Sequence, residues 1–434
     1  MRKQPEIAPQ KVTPEKQDNI ITQVREYKLI TPLFGGGVEK GEADPVTIIR
    51  GTEIRGQLRF WWRACRAASY TTIKDLKEAE DKIWGSATKN RNANEKKPET
   101  PMEEKRRETV QITVDQISEG TAVTPFERNG REKHNQRIAP VYAAFPLQPS
   151  DDDKRNRVPP KDVQQDVKFK LTISFHKDFQ EEIEAALWAW ETFGGIGART
   201  RRGFGALQLL KIDNKDYTDL PVSNSNNIRS WIEKRLADAQ YVAKGIAPDG
   251  VTYLNNNLQF KVTRSFENSF DCWNNLIKRL SGFRQFPMGR DKRSKWPEAE
   301  TIREITDKRD NNFSPLSHPQ KFPRAAFGLP IVFHFRSDDI GDPDDTTLQR
   351  SEKEKERLAS PLILRPFICK DGRAVGLALI LEGRQTYPDK LELVDKNMQP
   401  YAVRIDTKLT SAEAKNIPAL DGETDVLKAF IKYL

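Results

Sequence analysis

The feature that most constrains the fold of this chain is a stretch in which apolar and polar side chains alternate. Apolar residues occupy every second position from Val167 to Phe175, and Lys, Thr and Ser fill the positions between them. Because successive side chains of a strand point to opposite faces, this pattern predicts a β-strand with one buried face and one polar, basic face. Such a strand belongs in a sheet that other elements cover on one side.

The segments around this strand predict a ferredoxin-like unit. A helix should begin at Asp178 and end at Gly194, and the strand ALQLLKI follows it. Upstream, residues 24–34 predict a strand, the next helix has Thr52 as a plausible N-cap, and QITVDQI and PVYAAFPL are strand candidates. The order strand, helix, strand, strand, helix, strand over residues 24–212 places two helices on one face of one sheet.

Weaker patterns in the second half predict another α+β domain. Its strand candidates are LQFKVTRSF, LPIVFHFR, LILRPFI and VGLALIL. Helices are predicted near residues 271–280 and 298–308, and a last one begins at about Asp425. Two long polar insertions, 86–109 and 149–166, interrupt the first half. The predicted parts are a disordered leader at 1–22, a first domain at 23–213, a linker at 214–227 and a second domain at 228–434.

The net charge indicates the kind of partner that the chain binds, and the cysteines indicate its compartment. The chain has 434 residues, and 72 Lys and Arg against 63 Asp and Glu give a net charge of +9, which favours a negatively charged partner. Its three cysteines are odd in number and far apart, so a reducing compartment such as the cytoplasm is expected. No apolar run approaches the roughly 18 residues of a membrane span, so no membrane partner is expected.

The most specific motif is the segment GGIGARTRRGFG at residues 194–205, between a predicted helix and a predicted strand. Glycines let a backbone approach a ligand, and arginines bind phosphate with two parallel hydrogen bonds, so the motif predicts RNA binding. The alternative is a tight helix-to-strand connection with solvated arginines. The predicted RNA-binding residues are Gly195, Gly197, Arg199, Arg201, Arg202, Gly203 and Gly205.

A row of arginines on the first helix forms a second candidate surface. The arginines recur at helical spacing and Glu53 is the only acid nearby in sequence, so phosphate contact is favoured over a solvated face or local ion pairs. Trp62 borders the row and is either a base-stacking residue or part of the core. The arginines proposed to contact RNA are Arg50, Arg55, Arg59 and Arg63.

A third basic patch, KRLSGFRQFPMGRDKRSKW at residues 278–296, interleaves cations with aromatic residues. Cations and aromatic faces suit single-stranded nucleic acid, whose exposed bases can stack, while an ordinary surface loop is the alternative. The predicted RNA-binding residues in this patch are Arg284, Arg290, Lys292 and Arg293.

Hydrolytic and cofactor sites have little support in the sequence. The loop at 194–205 lacks the Lys-Ser or Lys-Thr of a P-loop and the third glycine of a dinucleotide fingerprint. The four histidines lie far apart without zinc-binding spacing. His134 lies in a basic loop, where a solvated histidine is more common than a general acid or base. No metal, no cofactor and no catalytic residue are therefore predicted.

Several motifs together resemble a known family. LITPLFGGG, DPVTIIRGTEIRGQLRFWWRA and GGIGARTRRGFGAL resemble the RAMP superfamily of CRISPR proteins, whose signature is a Gly-x-Gly, five residues, Gly-x-Gly loop. RGQLRFWWRA, KWPEAETIR, RAAFGLPIVF and ASPLILRPF are similar to the family of first subunits of the Cmr complex, the type III-B effector. The resemblance runs from about Tyr27 over nearly the whole chain.

The resemblance implies two ferredoxin-like, RRM-like domains and a non-catalytic RNA-binding role in a ribonucleoprotein. Its partners would be CRISPR RNA, held at its 3' part, target RNA, and other Cmr subunits. The loop and helix arginines named above match the RNA-contacting segments of the family. In RAMP subunits that cut target RNA an Asp after the first strand acts with a metal, and Asp44 resembles that position, but for this subunit family we expect no cleavage.

Two other functions remain open at the level of sequence. One is a RAMP-fold endoribonuclease that uses His134, His176 or Asp44. The other is a structural adaptor that binds mainly protein. Cleavage of labelled RNA would favour the first, and assembly without RNA retention would favour the second.

Overall fold

The computed structural model describes most of the chain. The described residues are 19–37, 41–44, 46–86, 109–126, 135, 137–151, 157–286, 294, 296–308, 320–335, 342–351, 357–383 and 390–434. Residues 1–18 of the predicted leader and most of the insertion at 86–109 lie outside them. The end of the predicted leader is wrong, because β1 already begins at Ile20. The domain boundaries stay a prediction. Helices and strands are mixed along the chain, which confirms the predicted α+β class.

The strands are β1 (Ile20–Leu29), β2 (Gln111–Ser118), β3 (Thr121–Val123), β4 (Ser150–Asp151), β5 (Arg157–Val158), β6 (Val163–Gln165), β7 (Lys168–His176), β8 (Leu207–Ile212), β9 (Lys215–Asp216), β10 (Gln259–Phe266), β11 (Ile331–Phe333), β12 (Thr346–Arg350), β13 (Leu362–Ile368), β14 (Ala374–Ile380) and β15 (Leu391–Val394). The helices are α1 (Gly51–Arg66), α2 (Ile73–Trp84), α3 (Val141–Ala144), α4 (Gln180–Phe193), α5 (Ser225–Ala237), α6 (Ser269–Gln285), α7 (Pro297–Ile305), α8 (Ser411–Lys415) and α9 (Val426–Tyr433). No helix of the described residues is long and apolar enough to cross a membrane.

The first sheet is built around the alternating strand. Its order is β2-β7-β1-β8-β9, and β7 pairs antiparallel with both β1 and β2. Phe169, Leu171 and Ile173 of β7 are fully buried, as the alternation predicts. Helices α1 and α4 pack against each other. The apolar side chains of α4 and of β7 belong to one hydrophobic cluster, so α4 covers the apolar face of the sheet.

Three local predictions in the first half are wrong. PVYAAFPL forms α3 and a 3-10 turn, because Pro140 and Pro146 suit helix starts and cannot donate to a sheet ladder. The first helix begins at Gly51, so Thr52 is not its N-cap. Helix α4 begins after a 3-10 turn at Lys177–Phe179, two residues later than predicted.

The second half contains two three-stranded sheets. One has the order β10-β14-β13 with α6 packed on it, and the other has the order β11-β12-β15. LQFKVTRSF, LILRPFI and VGLALIL form strands as predicted, and LPIVFHFR contributes only three residues to β11. The last helix begins after Asp425, whose side chain accepts from the N–H groups of Leu427 and Lys428.

The two halves share a hydrophobic core and a buried arginine. Ile363 and Val375 of the second half pack in the same cluster as α1 and α4 of the first. Arg365 of β13 is 1% exposed, and its guanidinium donates to the carbonyls of Glu191, Gly194 and Leu207. This side chain therefore caps the end of α4 from the other half of the molecule.

Candidate nucleic-acid interface

The Gly-Arg loop lies at the junction between the two halves. Helix α4 ends at Gly194, and a 3-10 turn at Thr200–Arg202 leads into β8. Gly203 has a φ of 85°, and a Cβ on it would lie 2.6 Å from the indole nitrogen of Trp273. Gly205 also has a positive φ and packs directly on the carbonyl of Ile196. These two glycines therefore serve close packing inside the protein, as the tight-connection alternative requires.

The other two predicted glycines are also packed against the chain itself. A Cβ on Gly195 would lie 2.9 Å from the carbonyl oxygen of Gly205. Gly197, with a φ of 83°, lies against Leu33 and the carbonyl of Phe34. RNA contact by the four glycines stays a prediction, and the structure gives each of them an internal packing role.

The three arginines of the loop hydrogen-bond to backbone carbonyls. Arg199 donates to Ala143 at 3.2 Å, and Arg201 donates to Ser360. Arg202 donates to Leu362 at 2.9 Å and to Phe327 at 3.4 Å. Among the described residues, none of the three forms a salt bridge with a carboxylate. Their positive charge is therefore not neutralised by the part of the protein that the structure describes.

Arg284 of α6 joins the loop arginines. Its guanidinium lies 5.8 Å from the ring centre of Tyr142 and 5.4 Å from that of Phe327, and its buried Nε has no hydrogen-bond partner in the described structure. Burial, together with the nearby charges of Arg284 and Arg199, lowers the pKa of Arg202 to about 9. We call Arg199, Arg201, Arg202 and Arg284 the arginine cluster.

Glu53 connects the first helix to the loop. Its side chain accepts a hydrogen bond from the N–H of Gly197, and its second oxygen is buried without a hydrogen-bond partner among the described residues. Burial raises the pKa of Glu53, while the Gly197 N–H and the nearby Arg50 oppose that rise. Glu53 therefore holds the start of the loop against α1, a role that sequence spacing alone did not reveal.

The arginine row on α1 is engaged inside the protein. Arg50 donates to the carbonyls of Gly36 and Gly37, and Arg55 donates to those of Trp84 and Val110. These four acceptors are neutral.

Arg59 and Arg63 both contact Glu80 of α2 at 2.6 Å, and Glu80 is 2% exposed. The premise that the row lacks acidic neighbours is wrong for these two arginines, because α2 folds back and brings Glu80 beside them. RNA contact by the row stays a prediction.

The remaining residues that the sequence suggested for RNA binding are either buried or outside the described residues, apart from Arg284. Trp62 is fully buried and its indole donates to Glu182, so it is a core residue and not a stacking surface. Arg290, Lys292 and Arg293 lie outside the described residues, so of the third basic patch only Arg284 is placed as a candidate.

Asp44 forms a local turn. Its Oδ1 accepts from the N–H groups of Val46 and Thr47, and these two hydrogen bonds lower its pKa. His176 is hydrogen-bonded by the N–H of Asp178, and His134 lies outside the described residues. Within the described part of the chain, no group of three or more His, Cys, Asp or Glu is arranged to hold a metal ion.

The similarity to known proteins is clearest in the first half of the chain. Residues 26–208 match the model of the RAMP superfamily. Two curated Pyrococcus furiosus proteins are similar: CRISPR system Cmr subunit Cmr1-1, 23% identical over 182 residues, and Cmr subunit Cmr1-2, 28% identical over 196 residues. The matches cover 41% and 42% of this chain, and 46% and 92% of the relatives. The chain thus spans about half the length of the first relative. These matches confirm the predicted resemblance to the RAMP superfamily and to the first Cmr subunits.

Solved structures with a similar arrangement have low sequence identity. Cmr1 from Pyrococcus furiosus in its apo form is 18% identical, with a TM-score of 0.45, and the match covers 85% of this chain and 90% of that one. A chain of a type III-B Cmr-beta structure bound to cognate target RNA is 14% identical, with a TM-score of 0.47, and the match covers 84% of this chain and 95% of that one.

Proposed function

We propose that this chain is a non-catalytic RNA-binding subunit of a type III-B CRISPR ribonucleoprotein. It contacts the 3' part of the CRISPR RNA and assists capture of target RNA, with other Cmr subunits as protein partners. The match of residues 26–208 to the RAMP superfamily and the Cmr names of the two curated relatives support this assignment. Neither relative's name states a catalytic activity. The cytoplasm is the proposed location, and the three cysteines are buried and free, which suits a reducing compartment.

The observation that carries the proposal is the arginine cluster. Four guanidinium groups lie at the junction of the two halves, with backbone carbonyls and aromatic rings as their described neighbours. Carbonyls satisfy hydrogen bonds but leave the positive charge, and gathering like charges raises the energy of the folded chain. A polyanionic strand lying across the junction would neutralise them, and arginine forms bidentate hydrogen bonds with phosphate.

The strand orders support two ferredoxin-like domains. In the first sheet, β1, α1, β2, β7, α4 and β8 follow the predicted order, and β1 lies between β7 and β8. The second set, β10, α6, β13, β14 and α9, follows the same order in a three-stranded sheet, without a fourth strand among the described residues. We assign 23–213 and 228–434 to these domains.

The test compares RNA affinity and its salt dependence in two variants that lose equal charge. The first replaces Arg199, Arg201 and Arg202 with Ala. The control replaces three cations that have carboxylate partners, Arg229, Arg373 and Lys396, with Ala. With single-stranded RNA, loss of three phosphate contacts should lower the slope of log K against log salt by about 2. The control slope should change little, because its cations are not in the cluster.

Folding must be checked because Arg202 also satisfies buried carbonyls. Arg199 is the exposed member of the loop arginines, and the one hydrogen-bond partner of its side chain in the described part of the chain is the carbonyl of Ala143. The single change Arg199→Ala should keep the circular dichroism spectrum and lower the slope by about 0.7. Equal slopes for wild type and both cluster variants would show that the cluster does not bind phosphate.

A further inference from the structure

A cavity of about 240 Å³ lies between helix α1 and the Gly-Arg loop. The arginine cluster adjoins it through Arg201. The lining residues that bear on its chemistry are Gly56, Gln57, Phe60, Trp61, Thr200 and Arg201. The volume is smaller than the roughly 300–1,000 Å³ of pockets for drug-sized ligands, so it suits a single small ring system.

Gly56 lines the cavity although glycine lowers the helix propensity of α1. It is the sixth residue of the 16-residue helix α1, and glycine is the poorest helix former after proline. A Cβ at this position would meet no described heavy atom within 4 Å. Close packing inside the described structure therefore does not require glycine here, unlike at Gly203 and Gly205. The position beside Gly56 is therefore open space among the described residues.

Aromatic rings form one wall of the cavity. The ring centres of Phe60 and Trp61 lie 5.2 Å apart with an angle of 85° between their planes. Phe60 is half-buried, whereas Trp61 is 2% exposed and its indole N–H has no acceptor in the described structure. A flat ring that enters the cavity would meet an aromatic wall, which is the surface that unstacked bases prefer.

Gln57 of α1 and the loop residues Thr200 and Arg201 supply hydrogen-bonding groups and positive charge. Gln57 contributes an amide and Thr200 a hydroxyl, the groups that pair with base edges. The guanidinium of Arg201 lies 5.5 Å from the ring centre of Phe60 and donates to one carbonyl, that of Ser360. It has further N–H groups and no carboxylate partner among the described residues, so it can bind the phosphate attached to a base.

We propose that this cavity holds one unstacked nucleobase of the bound RNA, with Phe60 as its stacking surface and Arg201 on its phosphate. The inference rests on the proposed RNA-binding function and adds a base-binding site to it. An aromatic side chain of a neighbouring protein would fill the same space, but it carries no anion for Arg201. The uncompensated charge therefore favours a nucleotide.

The test uses the full chain and single-stranded RNA of about twelve nucleotides, which suits the usual site sizes for such RNA. Gly56→Leu places a side chain in the open space beside the cavity, and Gly56→Ala is the matched control with almost the same backbone effect. Phe60→Ala removes the stacking ring. Affinity is measured for oligouridine and for an abasic strand of equal length and charge.

Wild type and Gly56→Ala should bind oligouridine more tightly than the abasic strand, by about 5- to 150-fold for one stacked base. Gly56→Leu and Phe60→Ala should lose that preference while their salt slopes stay at the wild-type value. Long-wave ultraviolet irradiation with oligo-4-thiouridine should attach RNA to the peptide containing Phe60 in wild type and in Gly56→Ala, but not in Gly56→Leu.

The experiment distinguishes failure of the base-binding site from failure of the proposed RNA-binding function. If wild type binds both strands with a normal salt slope, and Gly56→Leu binds like Gly56→Ala, the base-binding site is refuted and the RNA-binding function stands. If wild type binds neither strand, the proposed function fails and this inference fails with it. A cross-link from Phe60 to a neighbouring protein in the assembled complex, with none to RNA, would also overturn the inference.

Discussion

Replacing Arg365 tests whether a buried guanidinium holds the two halves of the molecule together. Arg365 lies on β13 of the second half, and its donors reach Glu191, Gly194 and Leu207 of the first half at 2.9, 2.7 and 2.7 Å. Burial lowers the pKa of Arg365 to about 9, so the group remains charged at neutral pH. Arg365→Met keeps much of the side-chain volume and removes every donor.

The expected magnitude follows from the carbonyls that lose their donors. A buried acceptor without a partner costs about 1–3 kcal/mol. The three carbonyls of the first half and that of Pro366, to which Nε donates, therefore cost together at least about 4 kcal/mol. Removing the buried charge also removes its desolvation energy, which offsets part of this loss. Because water cannot easily reach carbonyls at a site that is 1% exposed, we expect a net loss of about 3 kcal/mol. Arg365→Lys, which keeps the charge with fewer donors, should lose less.

Urea unfolding followed by tryptophan fluorescence measures the effect. For a denaturant slope of about 3 kcal/mol per molar, a loss of 3 kcal/mol lowers the midpoint by about 1 M. The order of midpoints should be wild type, then Lys, then Met. An Arg365→Met protein as stable as wild type would refute the reasoning, because it would show that burying the charge costs as much as its hydrogen bonds contribute.

Two further predictions concern the residues around α1. Replacing Arg59 and Arg63 with Ala leaves Glu80 buried and unpaired, so the free energy of unfolding should fall by about 3–5 kcal/mol. The double variant of Arg59 and Arg63 should lower the salt slope for RNA binding less than Arg199→Ala does. A larger decrease would indicate that Arg59 and Arg63 contact RNA. Because burial raises the folded-state pKa of Glu53, this carboxyl lowers stability progressively as pH rises above 4.5. Gln at position 53 can still accept from the N–H of Gly197. The melting temperature of Glu53→Gln minus that of wild type should therefore increase from pH 4 to pH 7. A constant difference across that range would contradict the raised pKa of Glu53.

The local pattern of apolar and polar residues predicted much of the first sheet. The alternation in β7 identified its buried face, and the apolar stripe and Gly194 located the end of α4 within one residue. The strands β13 and β14 were evident because they are short apolar runs next to turn residues. The motifs LITPLFGGG, DPVTIIRGTEIRGQLRFWWRA and GGIGARTRRGFGAL carried the RAMP resemblance, which the comparisons confirmed.

The partners of charged side chains were decided by the tertiary structure. Glu53 is the only acid near Arg59 in sequence, and Glu80 contacts Arg59 because α2 folds back along α1. In the same way, the carbonyls of Ser360 and Leu362, which accept from Arg201 and Arg202, lie about 160 residues further along the chain. Local periodicity sets backbone conformation and the face on which a residue lies, since both depend on near neighbours. It contains no information on which distant group that face meets. The burial of Trp62 beside Glu182 and the cavity between α1 and the Gly-Arg loop were therefore visible only in the tertiary structure.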